Sequence, residues 1–144
     1  MIHIKKIAPE ETYPIRLEVL RKNIPLPYKF DGDLATDTFH LGAFKNDKRI
    51  AVSSFMKVKN PHFKGEQYQL RGMATLHEFQ GLGAGKLMMQ EAFLILKSLD
   101  IDCLWCNARI AAVDFYKKSG LQTFGQKFTI PYIGDHYVMF VNLR

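Results

Sequence analysis

Residues 80–86 read Gln80-Gly81-Leu82-Gly83-Ala84-Gly85-Lys86. They follow a predicted strand, residues 67–75, and open a strongly periodic segment that predicts a helix to about Leu99. Glycine lets a ligand come close to the backbone, and the first turn of a helix leaves several N–H groups without partners. Because the helix dipole favours negative charge at this end, the segment predicts a site for phosphate or pyrophosphate. The structural alternative is a tight strand-to-helix turn that binds nothing.

Two common nucleotide motifs do not fit this segment. The Walker A loop needs a glycine where Gln80 stands, and it needs Ser or Thr where Leu87 follows Lys86. The dinucleotide fingerprint G-x-G-x-x-G fails because the glycines stand at alternate positions and position 86 is Lys. The sequence therefore predicts a phosphate-binding turn of another kind.

The elements around this segment predict a mixed α/β fold. Predicted helices span residues 10–23, about 81–99 and about 111–119, and predicted strands span residues 2–7, 38–44, 49–58, 67–75, 101–106, 121–129 and 135–143. Residues 46–48 predict a tight hairpin turn. The strand–helix–strand order across residues 67–106 predicts a right-handed β-α-β unit with a parallel pair. The buried face of its helix is expected to carry Leu82, Met89, Phe93 and Leu96.

The composition indicates one domain, residues 1–144. The chain is 47% hydrophobic and 24% charged, which is the balance of a folded globular protein. No apolar stretch approaches the ~18 residues of a membrane span, and the start of the chain lacks the apolar region of a secretory signal. Two cysteines are too few for a disulfide framework, which favours a cytoplasmic location.

The net charge of +6 fits either an ordinary solvated surface or a specific site for an anionic partner, and the charge alone does not decide between them. The basic residues stand singly or in pairs, and no run of five or more suggests a nucleic-acid arm. No recognition helix or aromatic stacking sheet is evident either, so neither nucleic acid nor a membrane is an expected partner. The closing strand, if it lies at a sheet edge, is a candidate for pairing in a homodimer.

Two motifs together resemble the GNAT superfamily of N-acetyltransferases. Gln80, Gly83 and Gly85 satisfy the pattern Q/R-x-x-G-x-G/A. Downstream, Asn107 ends a predicted strand and the pair Phe115-Tyr116 lies on the next predicted helix. The resemblance runs from about residue 70 to about residue 124. It implies a mostly antiparallel central sheet of about six or seven strands, with a central β-α-β unit and helices on both faces.

The resemblance also implies acetyl-CoA as cosubstrate, with no metal, and direct acetyl transfer to a primary amine of a small molecule or peptide in a ternary complex. Tyr116 matches the position of the catalytic acid that protonates the departing thiolate. The residues that the resemblance places around the cosubstrate are Met73, Ala74, Thr75, Gln80, Gly81, Leu82, Gly83, Ala84, Gly85, Lys86, Asn107 and Tyr116. A non-catalytic acyl-CoA sensor or regulatory module on the same fold is the alternative.

The sequence offers several candidates for the general base and for the acceptor pocket and does not decide between them. Residues 67–71 carry no acid where many family members place one. His77 and His136 are candidate relays, although a lone histidine is more often a surface or capping residue. The candidates for the acceptor pocket, which are equally well explained as solvated surface residues, are Arg16, Arg21 and residues 25–33 on one wall and Tyr132, His136 and Tyr137 on the other.

Cys103 and Cys106 form a C-x-x-C pair inside an apolar predicted strand. Zinc needs two further ligands at suitable spacing, and a redox pair normally stands at a helix N-terminus. The sequence therefore favours packing as the role of both thiols, and of Trp105 between them.

Overall fold

A seven-stranded sheet forms the centre of the molecule, in the order β1-β2-β3-β4-β5-β7-β6. The computed structural model describes all residues from Met1 to Arg144. The strands are β1 (Ile2–Ile7), β2 (Phe39–Lys45), β3 (Lys48–Met56), β4 (Gln67–Thr75), β5 (Cys103–Arg109), β6 (Gln122–Ile130) and β7 (Gly134–Asn142). Only β4 and β5 pair in parallel. The predicted mixed, mostly antiparallel sheet with a central β-α-β unit is confirmed.

Helical segments cover both faces of the sheet, as expected. The first comprises a 3-10 turn (Pro9–Thr12), α1 (Tyr13–Ile15) and a π turn (Arg16–Leu20), and the others are α2 (Ala84–Ser98) and α3 (Val113–Lys118), each preceded by a short 3-10 turn. Ala51 and Val52 are neighbours in β3 and so point to opposite faces. Ala51 belongs to the core cluster that contains α2, whereas Val52 packs with Ile15 of α1.

The first helical segment ends at Leu20, three residues before the predicted end. None of the helices combines the length and the hydropathy that a membrane crossing requires.

The buried face of α2 differs from the prediction at its start. Its buried residues are Ala84, Met88, Met89, Ala92 and Leu96. Leu82 was expected on this face, but it precedes the helix and is 48% exposed. The reason is Gly83, whose left-handed φ of 89° turns the chain immediately before the first helical residue. Phe93 is half-buried against the core.

The β2–β3 hairpin confirms the predicted turn. Asn46 and Asp47 have φ of 49° and 65°, and they connect the paired residues Lys45 and Lys48. Two left-handed residues in a two-residue loop match the twist of the flanking strands, and Asn and Asp tolerate that conformation better than most residues.

Strand β5 extends further than its apolar run predicts. It was expected over residues 101–106, and it spans Cys103–Arg109. The polar end continues as a strand because β7 pairs with it through Arg109, which lies opposite His136. This extension carries Asn107 and Arg109 to the edge of the candidate site.

Candidate active site

The two central strands separate halfway along their length. β4 and β5 pair from Gln67 opposite Cys103 to Leu70 opposite Cys106, and no pairing joins them beyond that point. From there β4 stays paired with β3, and β5 stays paired with β7. The backbone groups of β4 that face β5 therefore lack a strand partner over residues 71–75. The result is a V-shaped opening between β4 and β5.

A bulge in β4 lies at the start of this opening. Val52 pairs with Ala74 and Ser54 pairs with Arg71, so two residues of β4, Gly72 and Met73, lie opposite one residue of β3. Gly72 has a left-handed φ of 66°. A Cβ there would lie 3.0 Å from Phe30 Cε2 and within 3.1 Å of the Arg16 side chain. Only glycine satisfies both the backbone and the packing, and the bulge bends β4 away from β5.

One cavity in the opening, of about 550 Å³, lies beside the glycine segment. We call it the glycine-loop cavity. Ten of the twelve residues that the sequence assigned to the cosubstrate line it: Met73, Ala74, Thr75, Gln80, Gly81, Gly83, Ala84, Gly85, Lys86 and Tyr116. Leu82 and Asn107 do not line it. Leu82 is largely exposed, and Asn107 lines a second cavity on the other side of Tyr116.

The N–H groups of residues 81–86 make no hydrogen bond within the chain. The first bond of α2 runs from Leu87 N–H to Gly83 C=O, at 3.0 Å, and no side chain caps the helix. Gly81 and Gly83 have φ of 81° and 89°, and a Cβ on either would meet nothing within 4 Å. The space beside Gly81 and Gly83 is therefore open, which suits an anion at the positive end of α2.

Gly85 has a different local role. A Cβ at Gly85 would lie 3.0 Å from Phe115 Cζ. The absence of a side chain allows Phe115 of α3 to pack against the first turn of α2. Gly85 thus brings α3, and with it Tyr116, close to the glycine-loop cavity.

Tyr116 lies between the two cavities and lines both. Its side chain is 6% exposed. Burial raises the pKa of Tyr116 well above 10, the neighbouring Cys106 thiol adds to this, and Arg109 opposes it. The phenol therefore carries its proton throughout the physiological pH range, as a proton donor must.

The second cavity, of about 180 Å³, lies at the other side of the opening. We call it the arginine cavity, because Arg21, Arg71 and Arg109 all line it. Phe30, Gln69, Asn107 and His136 also contribute to its walls, and no Asp or Glu does. Arg21, Asn107 and His136 were predicted in the site, whereas Arg71 and Arg109 were not.

His136 is buried in the wall of the arginine cavity, at 3% exposure. Its Nδ1 lies 2.7 Å from the Gly134 carbonyl oxygen, which can only accept a hydrogen bond. In the neutral ring the proton is therefore on Nδ1, and Nε2 has a free lone pair. His77, the other candidate relay, is exposed and lines neither cavity.

Arg16 is not the solvated or acceptor-facing residue that the sequence allowed. It is 0% exposed, and its Nη1 and Nη2 donate to the two carboxylate oxygens of Asp33 at 2.7 and 2.9 Å. It supports the wall from behind, since its guanidinium carbon lies 4.0 Å from the centre of the Phe30 ring.

The prediction for the opposite wall of the acceptor pocket is partly wrong. Tyr132 is 71% exposed, and neither it nor Tyr137 lines the arginine cavity. Ile130 and Ile133 take that place, together with the expected His136.

The two cysteines are buried and unpaired, as the sequence favoured. Burial raises the pKa of Cys103 to about 11 and that of Cys106 to about 12. Thiols of that kind carry almost no thiolate at neutral pH and are poor nucleophiles. Trp105 is buried between them, and its Nε1 donates to the Val58 carbonyl at 2.9 Å. No group of three or more His, Cys, Asp or Glu residues is arranged to hold a metal ion.

Comparison with known proteins shows the family of this chain. The model of the Acetyltransferase (GNAT) family matches residues 4–121. The chain belongs to the GNAT acetyltransferase family. Members of this family generally use acetyl-CoA as cosubstrate, and the chain is an enzyme, an N-acetyltransferase. A relative in Bacillus subtilis (strain 168), described as the uncharacterized N-acetyltransferase YitI, is 36% identical over 146 residues, covering 100% of this chain and 98% of the relative.

Solved structures show the same GNAT fold. The crystal structure of Escherichia coli ElaA has a TM-score of 0.79 at 18% identity, covering 97% of this chain and 99% of ElaA. The ribosomal-protein-S18-alanine N-acetyltransferase of Escherichia coli has a TM-score of 0.78 at 17% identity, covering 99% of this chain and 94% of that one. At this identity the likeness concerns the fold alone.

Proposed function

We propose that this GNAT enzyme binds acetyl-CoA in the glycine-loop cavity, with the diphosphate on the N–H groups of residues 81–86. The observation that carries the proposal is that these six N–H groups have no partner in the chain, and that the space beside Gly81 and Gly83 is open. Gln80 and Lys86 line the same cavity and add polar and positive groups. Leu82 contributes only its backbone N–H, and Asn107 approaches the cosubstrate from the arginine cavity.

The pantetheine arm of the cosubstrate fits along the open side of β4. Residues 71–75 keep their pairing with β3 but have lost β5 as a neighbour. An extended chain with amide groups can pair with such an edge as an added strand would. We assign this role to Met73 and Thr75, with a backbone N–H of Ala74 or Thr75 stabilising the oxyanion. The acetyl group then lies where the two cavities meet, beside Met73, Ala112 and Tyr116.

The acceptor amine reaches the acetyl group from the arginine cavity. Its nitrogen attacks the thioester carbonyl, an N–C bond forms, the C–S bond breaks, and the amine loses a proton. Deprotonating an amine of pKa ~10.4 at pH 7 requires ~4.6 kcal/mol. His136 is the group that we propose to take the proton, because its Nε2 is free and no carboxylate lines the cavity.

Tyr116 supplies the proton that the departing thiolate takes. A tyrosine whose pKa lies above 10 is a weak acid for a thiolate whose conjugate acid has a pKa of ~8.5 in water. A thiolate formed in the same buried place has its own pKa raised by desolvation, which narrows the difference. We propose that residues 1–144 carry out this reaction as one cytoplasmic domain without a metal. A homodimer stays a prediction.

The test is Tyr116→Phe, with Tyr137→Phe as a matched control that removes a hydroxyl lining neither cavity. Calorimetry measures the Kd for acetyl-CoA, and release of free thiol measures turnover over a panel of amines. We expect Tyr116→Phe to keep its Kd and to lose about 10²–10⁴-fold in kcat, the usual contribution of a general acid. Equal turnover in both variants would refute the role of Tyr116. Binding without turnover of any amine in the unmodified enzyme would favour the acyl-CoA sensor.

A further inference from the structure

The arginine cavity has a strong imbalance of charge. Arg21, Arg71 and Arg109 line it, and none of them is within salt-bridge distance of a carboxylate. Arg21 donates only to backbone carbonyls, those of Pro27 and Leu20, and Arg71 and Arg109 make no side-chain hydrogen bond. Three half-buried guanidinium groups thus face one small space without a counter-charge.

The neighbouring Arg16 is a buried guanidinium that the chain neutralises with a carboxylate of its own. Arg16 and Arg71 both stack on Phe30, with guanidinium carbons 4.0 and 4.3 Å from the ring centre. Arg16 is held by both oxygens of Asp33, whereas Arg71, on the cavity side, has no such partner. Asp33 thus pairs with Arg16 outside the arginine cavity, whereas no carboxylate pairs with Arg71 inside it.

Arg21 is also repelled by the other two cavity arginines. The pKa of Arg21 is lowered, first by burial and then by Arg109, Arg71 and Arg16. Burial lowers the pKa of Arg71 as well and Arg16 adds to this, whereas the carboxylates of Asp33 and Asp31 oppose it. Guanidinium groups nevertheless stay charged in proteins, and half-buried like charges are unfavourable until an anion joins them.

We infer that the acceptor is a small amine that also carries an anionic group, a carboxylate or a phosphate, which binds among Arg21, Arg71 and Arg109. This rests on the proposed function, since it takes the arginine cavity as the acceptor pocket. Arginine is the side chain best suited to carboxylate and phosphate, because its fork binds two oxygens at once. A cavity of about 180 Å³ is smaller than the ~300–1,000 Å³ that encloses drug-sized ligands, so the acceptor is small.

The same charges help the amine to react. Positive groups around a bound ammonium lower its pKa and so favour the neutral, nucleophilic amine. An acceptor with only positive charges, such as a diamine, is repelled instead. The anionic group therefore holds the acceptor in the cavity. Because the arginines lower the pKa of the amine, they supply part of the effect that a carboxylate general base would have on its deprotonation.

The experiment compares amines of matched length at saturating acetyl-CoA. One set is 4-aminobutyrate, butylamine and 1,4-diaminobutane, and the other is O-phosphoethanolamine and ethanolamine, which separates carboxylate from phosphate. We expect kcat/KM for an anionic amine to exceed that of its neutral or dicationic counterpart by about tenfold or more, the effect of one hydrogen bond to a charged group. We also expect its KM to rise with salt.

Variants locate the effect. Arg71→Gln and Arg109→Gln are expected to remove most of the preference and to leave the Kd for acetyl-CoA unchanged. Lys64→Gln makes the same change of charge at an exposed residue that lines neither cavity and is expected to keep the preference. Calorimetric titration of 4-aminobutyrate and O-phosphoethanolamine into the enzyme with coenzyme A bound gives a readout that does not depend on turnover.

The outcomes separate the two proposals. If acetyl-CoA does not bind, the proposed function fails. If it binds but neutral amines or diamines react better, or if no anionic probe reacts or binds, only the anionic acceptor is overturned. A preference for acidic peptides over every small anionic amine would overturn the assignment to a small molecule.

Discussion

Asp33→Asn is expected to lower the free energy of unfolding by about 3–5 kcal/mol, the usual effect of removing one partner from a buried ion pair. Arg16 is 0% exposed, and Asp33 binds it with both oxygens. The carboxylate also accepts the Phe30 N–H at 2.8 Å. Asparagine keeps the size of the side chain but turns an NH₂ group towards the guanidinium. Arg16 then keeps the Ser54 hydroxyl, the Tyr28 carbonyl and at most the one amide oxygen at position 33 as acceptors, and its charge is uncompensated.

Urea denaturation followed by circular dichroism measures the effect, with the m-value expected to stay unchanged. A loss of this size corresponds to roughly 10–15 °C in Tm for a domain of this length. Asp31→Asn is the matched control, because Asp31 is exposed and makes no ion pair; we expect a change within about 0.5 kcal/mol. Replacing both partners, as in Arg16→Met with Asp33→Leu, should be less harmful than Asp33→Asn alone.

The pH dependence gives a second readout of the same pair. Burial by itself raises the pKa of Asp33, but hydrogen bonds from Arg16 and from the Phe30 N–H outweigh it, and the net pKa is lowered. The stabilisation is therefore fully present above the unfolded pKa of ~3.9 and is lost as the pH falls through the lower native value. The gap between wild type and Asp33→Asn should narrow only in acid. A loss below about 1 kcal/mol at pH 7, or a gap that narrows near neutrality, would refute this reasoning about the wall of the arginine cavity.

Three further predictions follow from the site. Gly83→Ala should lower the free energy of unfolding by about 1 kcal/mol because of its φ of 89°, and it should also weaken acetyl-CoA binding. Gly120→Ala is the control, since Gly120 has a φ of 102° and lies away from both cavities, and it should lower only the stability. Equal losses of acetyl-CoA binding in the two variants would contradict the proposed diphosphate site. His136→Gln should lower kcat without changing the Kd for acetyl-CoA, and His77→Gln should change neither. Since burial raises the pKa of the two thiols to about 11 and about 12, a neutral disulfide reagent at pH 8 should label them only after unfolding; rapid labelling of the native protein would show that they are accessible thiolates.

The sequence predicts the strands well because most of them have local signals. Alternating apolar residues and the turn at Asn46 and Asp47 give the first half of the sheet, and β4 was predicted at its observed bounds. The last three residues of β5 could not be predicted in this way. Their extended conformation comes from pairing with β7, which is distant in sequence.

The two cavities of the site also differ in how far local sequence signals predict them. The glycine segment is continuous in sequence, so its open helix terminus could be inferred from the residue types alone. The arginine cavity is assembled from Arg21, Arg71 and Arg109 on three separate elements, and no local pattern distinguishes them from surface charges. Arg16 was misjudged for the same reason, since its partner Asp33 is 17 residues away.

The proposed binding of acetyl-CoA depends on the unpartnered N–H groups of residues 81–86, and calorimetry tests this binding most directly. Acetyl-CoA and S-acetyl-pantetheine, which lacks the diphosphate together with the phosphorylated adenosine attached to it, are titrated separately into the enzyme. We predict one saturable site for acetyl-CoA and an affinity for S-acetyl-pantetheine at least about a hundredfold weaker, the effect of two hydrogen bonds to a charged group. No heat with acetyl-CoA, or equal affinity for the two compounds, would contradict the account.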